Sequence, residues 1–227
     1  VRIEEELVAD PAFFYLLPGL IPQITGVDVQ LRKGDAVNET TKYHYDVWLY
    51  VATPVAIVNP EVTADWRELK SLPEVDTLLT SHNGSVVEVK NIPNVRTTKD
   101  HKLLQLIESA APDMLLADVK QQVVQESGGM HPDAFRALGA RLNYDAHVRW
   151  TTDGTDGLFD VVFIPVTDKR LLPAYAMPAN ADLTDFTRAP VIKNEVSVPV
   201  EQIRLWKEKL QEELPAYMVP EDFVVLK

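Results

Sequence analysis

Apolar and polar positions alternate most clearly between Tyr43 and Val51. Tyr43, Tyr45, Val47, Leu49 and Val51 fall on one face of an extended segment, and His44, Asp46, Trp48 and Tyr50 on the other. Val27 to Arg32 also reads as a strand, and the polar stretch Lys33 to Lys42 as the loop between two antiparallel neighbours. Ahead of them, Asp10-Pro11 is a helix start, with Phe13, Phe14, Leu16 and Leu17 as the buried face and Pro18-Gly19 as the stop. Residues 59–80 read as a loop, a helix around Asp65 to Leu72 and a weaker helical turn, before the Asn83-Gly84 turn. Ser85 to Asn91 alternates with β-branched residues and is a predicted strand. Helices follow at Lys99 to Ser109, Met114 to Glu126 and His131 to Leu142. Asp145 to Val166 reads as a hairpin around a glycine-containing turn. Thr167 to Val198 is proline-rich and aperiodic, which predicts an extended linker. From Pro199 to Leu214 a helical pattern returns, with Ile203, Trp206, Leu210 and Leu214 on one face.

Composition removes several function classes. The chain has 227 residues, enough to bury a real core, and carries a net charge of −12 from 34 acidic and 22 basic residues. A surface that acidic repels phosphate backbones, so no nucleic-acid partner is expected. The absence of cysteine removes disulfides, thiolate metal sites and a cysteine nucleophile. None of the five histidines pairs with another at the i, i+4 spacing of a helical metal site, so no metal is expected. No apolar run reaches the ~20 residues that cross a bilayer, and no signal-peptide pattern opens the chain; the reading is a cytoplasmic protein without a membrane partner.

The stretch from Asn38 reads NETTKYHYDVWLYV. On pattern alone it is either an amphipathic strand with one wet face or a set of polar groups held at the rigid start of a strand for chemistry. NETTKYHYDVWL resembles the second core motif, NELSxYRYxAV, of the methyltransferase domains embedded in nonribosomal peptide synthetases. Asn38, Glu39, Tyr43 and Tyr45 match. Thr40 stands where the family has leucine, and His44 where it has arginine, a change that replaces a fixed guanidinium by a titrating imidazole. VEVKNIPNVRTTKD, from Val87 to Asp100, resembles the third core motif of the same domains through Val87, Glu88, Pro93, Asn94 and Arg96. LPAYMVPEDFVVL, from Leu214 to Leu226, resembles the ninth core motif of adenylation domains; Lys227 is not the lysine of that subdomain's later NGK motif.

The resemblance implies an α/β fragment with α+β character. It would be the C-terminal portion of a class I Rossmann-like methyltransferase, with antiparallel strands and flanking helices, then a linker and a helix. Residues 1–166 would be the substrate-side part of the methyltransferase, 167–198 the linker and 199–227 the start of the adenylation C-terminal subdomain. None of the nine glycines stands in the GxGxG spacing of an S-adenosylmethionine loop, so no cofactor-binding residue is expected and the chain looks like a piece that begins where the cofactor half ends. The implied reaction is N-methylation of an aminoacyl group held as a thioester on the phosphopantetheine of a peptidyl carrier protein, with S-adenosylmethionine bound by the upstream half. The implied partners are that half, the adenylation core of the same synthetase and the carrier protein, with a homodimer as the form of the isolated chain. Methyl transfer needs a neutral amine and an acceptor for its proton. Glu39 and His44 are the candidate acceptors, with Tyr43 beside them. Asn38, Tyr45, Asp46, Asn94 and Arg96 are candidates to position the acceptor or hold the motif loop. The alternative is a non-catalytic scaffold or docking module between synthetase domains.

Overall fold

The computed structural model describes residues 8–109, 114–125, 128–151, 157–167, 169–177, 181–188, 200–215 and 218–220. Residues 9–186 form one compact unit, and residues 1–8 with 187–227 a second. After the short strand β1 (Val8–Ala9), helix α1 (Pro11–Tyr15) opens as its sequence predicts: the Asp10 carboxylate accepts from Ala12 N at 2.8 Å, and Pro11 takes the first helical position. Helix α2 (Leu17–Leu20) follows and leads into β2 (Ile24–Leu31). Helix α3 (Glu39–Tyr43) and β3 (Tyr45–Val51) come next. Strands β2 and β3 pair antiparallel, with Val27 opposite Leu49, Val29 opposite Val47 and Leu31 opposite Tyr45. That face packs Val27 and Val29 against Phe14, Tyr15 and Leu17. The other face carries Asp28 opposite Trp48 and Gln30 opposite Asp46.

The connection between these strands departs from its reading as a loop. Asn38 accepts from Thr41 N, and the Thr41 hydroxyl takes Asn38 N, a reciprocal cap that nucleates α3. Glu39 and Tyr43 therefore belong to a helix, and the strand begins at Tyr45. An amide and a hydroxyl three residues apart satisfy the free amides of a helix start, which alternation does not register.

Strands β4 (Ala56–Val58) and β5 (Val62–Asp65) precede α4 (Trp66–Leu69) and α5 (Leu72–Ser81). The helix expected around Asp65 to Leu72 is only Trp66–Leu69, because Lys70 turns left-handed, at φ 61°, and the weaker turn expected after it is the longer helix, with Pro73 in its first turn. Strand β6 (Val87–Pro93) is followed by α6 (Thr98–Ser109), α7 (Leu116–Gln125) and α8 (Pro132–Arg141), then by β7 (Tyr144–Trp150) and β8 (Leu158–Pro165). The main sheet runs β5-β6-β8-β7, parallel between β5 and β6 and antiparallel in the other two pairs. The architecture is thus mixed α/β. Strand β8 lies at its centre, and its run LFDVVFIP is buried on both faces. Phe159, Val161 and Phe163 face a core with Phe135, Trp66, Leu79 and Val89; Val162 and Ile164 face Val86, Val58 and Leu171.

The stretch 167–198 is not linker throughout. Strand β9 (Leu171–Pro173) pairs parallel to β4, and Leu172 is buried. Proline lacks an amide to donate, yet Pro173 is tolerated because it ends a short edge strand, and Ala174 N continues the pairing to Val58 O at 2.8 Å. In the second unit, α9 (Val200–Glu213) exposes Arg204 between Glu201 and Glu208. Residues 216–217 and 221–226 of the adenylation-like motif, and most of the hairpin turn, lie outside the described residues. Among the described residues no helix is long and apolar enough to cross a membrane.

Candidate functional site

At the carboxyl end of β6 the chain turns through Asn94, whose Oδ1 accepts from Arg96 N at 3.0 Å while its carbonyl accepts from Thr97 and Thr98. The turn is fixed from outside by residues 129–130: Met130 N donates to Pro93 O at 2.7 Å, and Val95 N to Met130 O. Gly129 is required there. Its φ is +90°, and a Cβ would stand 2.8 Å from both Pro93 O and Val95 N.

Arg96 points inward with a fully buried side chain. It donates to Arg32 O and Gly34 O at 2.7 Å, to Thr41 O at 3.2 Å, and to Asp133 Oδ2 at 3.2 Å. The planar fork thereby ties three carbonyls of the segment before and within α3 to the first turn of α8. Thr41, whose hydroxyl also donates to Ala36 O, is held at the centre of that segment. Arg96 is a clamp on the motif loop, placed by the Pro-Asn turn.

With α3 fixed, its last two residues reach α6. Lys42 Nζ and the Tyr43 hydroxyl both meet Asp100 Oδ2 at 2.7 Å. Burial works to raise the Asp100 pKa, but the hydrogen bonds from Lys42 and Tyr43 prevail and hold it below the usual carboxylate range. Burial and that same carboxylate push the Tyr43 phenol up to about 12.

Beside this contact lies a cavity of about 260 Å³, lined by Tyr43, Thr97, His101, Trp150, Thr151, Gly157 and Tyr175, with Asp10 and Pro11. It sits outside the carboxyl end of β6, where ligands bind in sheets with parallel strands. Thr97 Oγ1 donates to Gly157 O at 3.1 Å, and Gly157, at φ +61°, leaves no room for a Cβ against the His101 ring. Thr151 is buried, and its Oγ1 has no hydrogen-bond partner among the described residues. Tyr175 is stacked on Tyr15 at 4.1 Å, with the Arg149 guanidinium 5.8 Å from its ring centre. Arg149 is in turn held by Glu88, the motif carboxylate, at 2.9 Å. A pocket walled by Tyr43, Trp150 and Tyr175 and edged by a carboxylate suits a small cationic or partly cationic group.

The residues singled out by the motifs are divided by the fold. Tyr43 lines the cavity; Asn94 and Arg96 lie buried beneath it and hold the loop. Asn38 caps α3, and the Tyr45 hydroxyl donates to Ala9 O at 2.5 Å. Asp46 makes a 3.9 Å pair with Arg32. Glu39 and His44 are exposed at the two ends of α3 and are not among the lining residues. His101, Thr97, Trp150, Thr151 and Tyr175 were not marked by the motifs. His101 had a signal: it stands one helical turn after Thr97, directly downstream of the Pro-Asn-Val-Arg turn. Asp35, His131 and Asp133 bring possible ligand atoms within 4.8 Å of one another, but the Asp133 carboxylate already takes the Arg96 and Arg136 guanidiniums, which oppose a cation.

Curated proteins similar to the chain are nonribosomal peptide synthetases. It is 37% identical to chondramide synthase cmdD of Chondromyces crocatus, over 97% of its own length and 6% of that protein. It is 26% identical to the synthetase agiA of Aspergillus flavus over 98% of the chain and 3% of the relative. With cyclosporin synthetase simA of Tolypocladium inflatum the identity is 25%, over 100% of the chain and 2% of the relative. The chain thus spans only a small fraction of the curated relatives it matches. No family model matches it. The comparisons indicate a part of a nonribosomal peptide synthetase.

Proposed function

We propose that the chain is the acceptor side of an S-adenosylmethionine-dependent N-methyltransferase within a nonribosomal peptide synthetase. In this reading it is the C-terminal portion of a Rossmann-like methyltransferase, running into the start of an adenylation C-terminal subdomain. The observation that carries the reading is the aromatic-walled cavity at the carboxyl end of β6, to which the two segments that resemble methyltransferase motifs contribute Tyr43 and Thr97. Bound S-adenosylmethionine would supply an electrophilic methyl group on a sulfonium. Tyr43, Trp150 and Tyr175 would surround the positive charge shared between sulfur, methyl and amine. The amine nitrogen forms a bond to the methyl carbon as the carbon–sulfur bond breaks, and the amine proton must leave.

His101 stands on the cavity wall, with the Asp10 carboxylate at the edge, and the His101 imidazole takes that proton in this proposal. Tyr43, fixed by Asp100, and Thr151 Oγ1 orient the amine. Glu39 and His44, the acceptors the motif suggested, stand outside the cavity in this chain and serve as the contrast. The residues of the chain offer no glycine-rich cradle for the adenosyl group, so the upstream half would hold it, and the peptidyl carrier protein would present the aminoacyl thioester on phosphopantetheine. The test is mass spectrometry of the carrier-bound thioester from the intact synthetase, with and without S-adenosylmethionine. A methylated aminoacyl thioester that is lost in Trp150→Ala supports the reading. Equal methylation in Trp150→Ala, or none in wild type, overturns it.

A further inference from the structure

A second concavity lies at the opposite end of the main sheet, independent of the proposed methyl-transfer site. It has a volume of about 930 Å³ and is walled by the polar face of the β2–β3 ribbon, the start of β7, one face of α8 and the segment from Ile164 to Leu172. At its floor are three buried polar side chains, Asp28, Gln30 and His147. Gln30 Nε2 donates to Asp28 Oδ2 at 2.7 Å, and His147 Nδ1 lies 3.0 Å from the same oxygen. Gln30 Nε2 also lies 3.2 Å from His147 Nδ1, so that nitrogen is engaged by two buried polar groups and Nε2 is the ring's second polar atom.

His147 is 3% exposed, and its Nε2 has no hydrogen-bond partner among the described residues; the exposed Asp145 carboxylate stands 3.5 Å away. Among the described residues Nε2 thus meets no closer partner than that exposed carboxylate, and both residues line the cleft. The walls add charge and a ring. Lys33 stands on one side and Lys169 and Arg170 on the other, all exposed, in a chain of net charge −12; none of the three has an ion pair among the described residues. Trp48 is 40% exposed directly across the ribbon from Asp28, and Arg170 lies 5.3 Å from the Tyr50 ring centre.

We propose that this cleft binds a planar-ring organic anion of the nucleoside phosphate class. Lys33, Lys169 and Arg170 take the phosphate, Trp48 stacks on the ring, and a polar group of the ring or sugar hydrogen-bonds with His147 Nε2. The probe is uridine 5′-monophosphate, titrated into the 227-residue chain, with inorganic phosphate and uridine as separate arms. The His147 imidazole and Trp48 indole NMR resonances report the site. Both should shift with the nucleotide, at an affinity at least about tenfold above either half alone, because the charge and ring contacts add. Lys33→Glu with Lys169→Glu should weaken binding by about tenfold or more at unchanged melting temperature, since both side chains are exposed. His147→Gln should weaken the nucleotide and leave inorganic phosphate unaffected. A nucleotide that binds no better than phosphate, that leaves both reporters unmoved, or that is indifferent to the charge reversal overturns the proposal.

Discussion

The two ends of the main sheet solve opposite problems. At the carboxyl end of β6, ionic groups are spent on one another: Arg96 on three carbonyls and Asp133, Lys42 and Tyr43 on Asp100, Arg149 on Glu88. What lines the cavity is aromatic wall, one imidazole, the Asp10 carboxylate at the edge and the Thr151 hydroxyl. At the other end the cleft is several times larger, and Lys33, Lys169 and Arg170 on its rim have no ion pair among the described residues. Motif residues crowd the first site and are absent from the floor of the second. The contrast teaches that a polar cluster marked by a motif can act as scaffold, with Arg96 and Asn94 holding a loop and lining no part of the pocket.

The largest structural effect expected is from Arg96→Ala. It strips three carbonyls and Asp133 of a buried guanidinium, and loss of a buried charged partner costs about 3–5 kcal/mol. Denaturant unfolding should show that loss, and hydrogen exchange should quicken across residues 32–43. Lysine cannot span three carbonyls in a plane, so Arg96→Lys should recover little. A cost below about 1 kcal/mol would make the clamp a surface contact.

Asp160 sharpens the comparison from the centre of β8. Burial first, with the nearby Glu88 adding, pushes its pKa up to about 6, against the hydrogen bond from Asn91 N. The folded state therefore binds its proton more tightly than the unfolded chain, and stability should fall as pH rises from about 4 to about 6. Asp160→Asn keeps an oxygen for Asn91 N and removes the charge. It should raise the melting temperature at pH 7.5 and flatten the decline, by up to about 3 kcal/mol. A lower melting temperature for the variant at pH 7.5 would show that Arg149, opposite Asp160 in the sheet, compensates the charge.

A smaller effect is expected at Tyr43→Phe. Removing the phenol takes one of the two hydrogen bonds from Asp100, so its pKa should move up toward the ordinary carboxylate value, with Lys42 limiting the change. Because the Asp100 pKa is held low, its contribution to stability is present above the ordinary carboxylate range and lost as pH falls through its folded value; the variant should lose it at higher pH. Carboxyl-carbon NMR titration reads the shift directly, and an unmoved Asp100 would contradict the pairing.

Much of the strand content was legible because apolar and polar residues alternate along it: Val27 to Arg32, Tyr43 to Val51, Ser85 to Asn91, and the two strands of the hairpin. Strands β4, β5 and β9 escaped notice because they are three or four residues long and gain their stability from a partner distant in sequence, as Leu172 does under β4. Helix α3 escaped because its cap outweighs a strand-like alternation that continues through Tyr43. At the candidate site, the motifs marked the segments but not the roles. Tyr43, Asn94 and Arg96 were visible in them, whereas Trp150, Thr151 and Tyr175 come from chain segments that only the folded sheet and the stacked Tyr15 bring to the cavity.

The central claim is that the cavity, rather than the exposed ends of α3, holds the acceptor amine. Single-turnover methylation of a carrier-bound aminoacyl thioester by the intact synthetase tests it with two isosteric changes. His101→Gln should slow transfer by about 10²-fold or more, as loss of a general base does, while Glu39→Gln stays within about threefold of wild type. His101→Gln at near wild-type rate, with Glu39→Gln slow, would contradict the account and return the proton to the carboxylate at the start of α3.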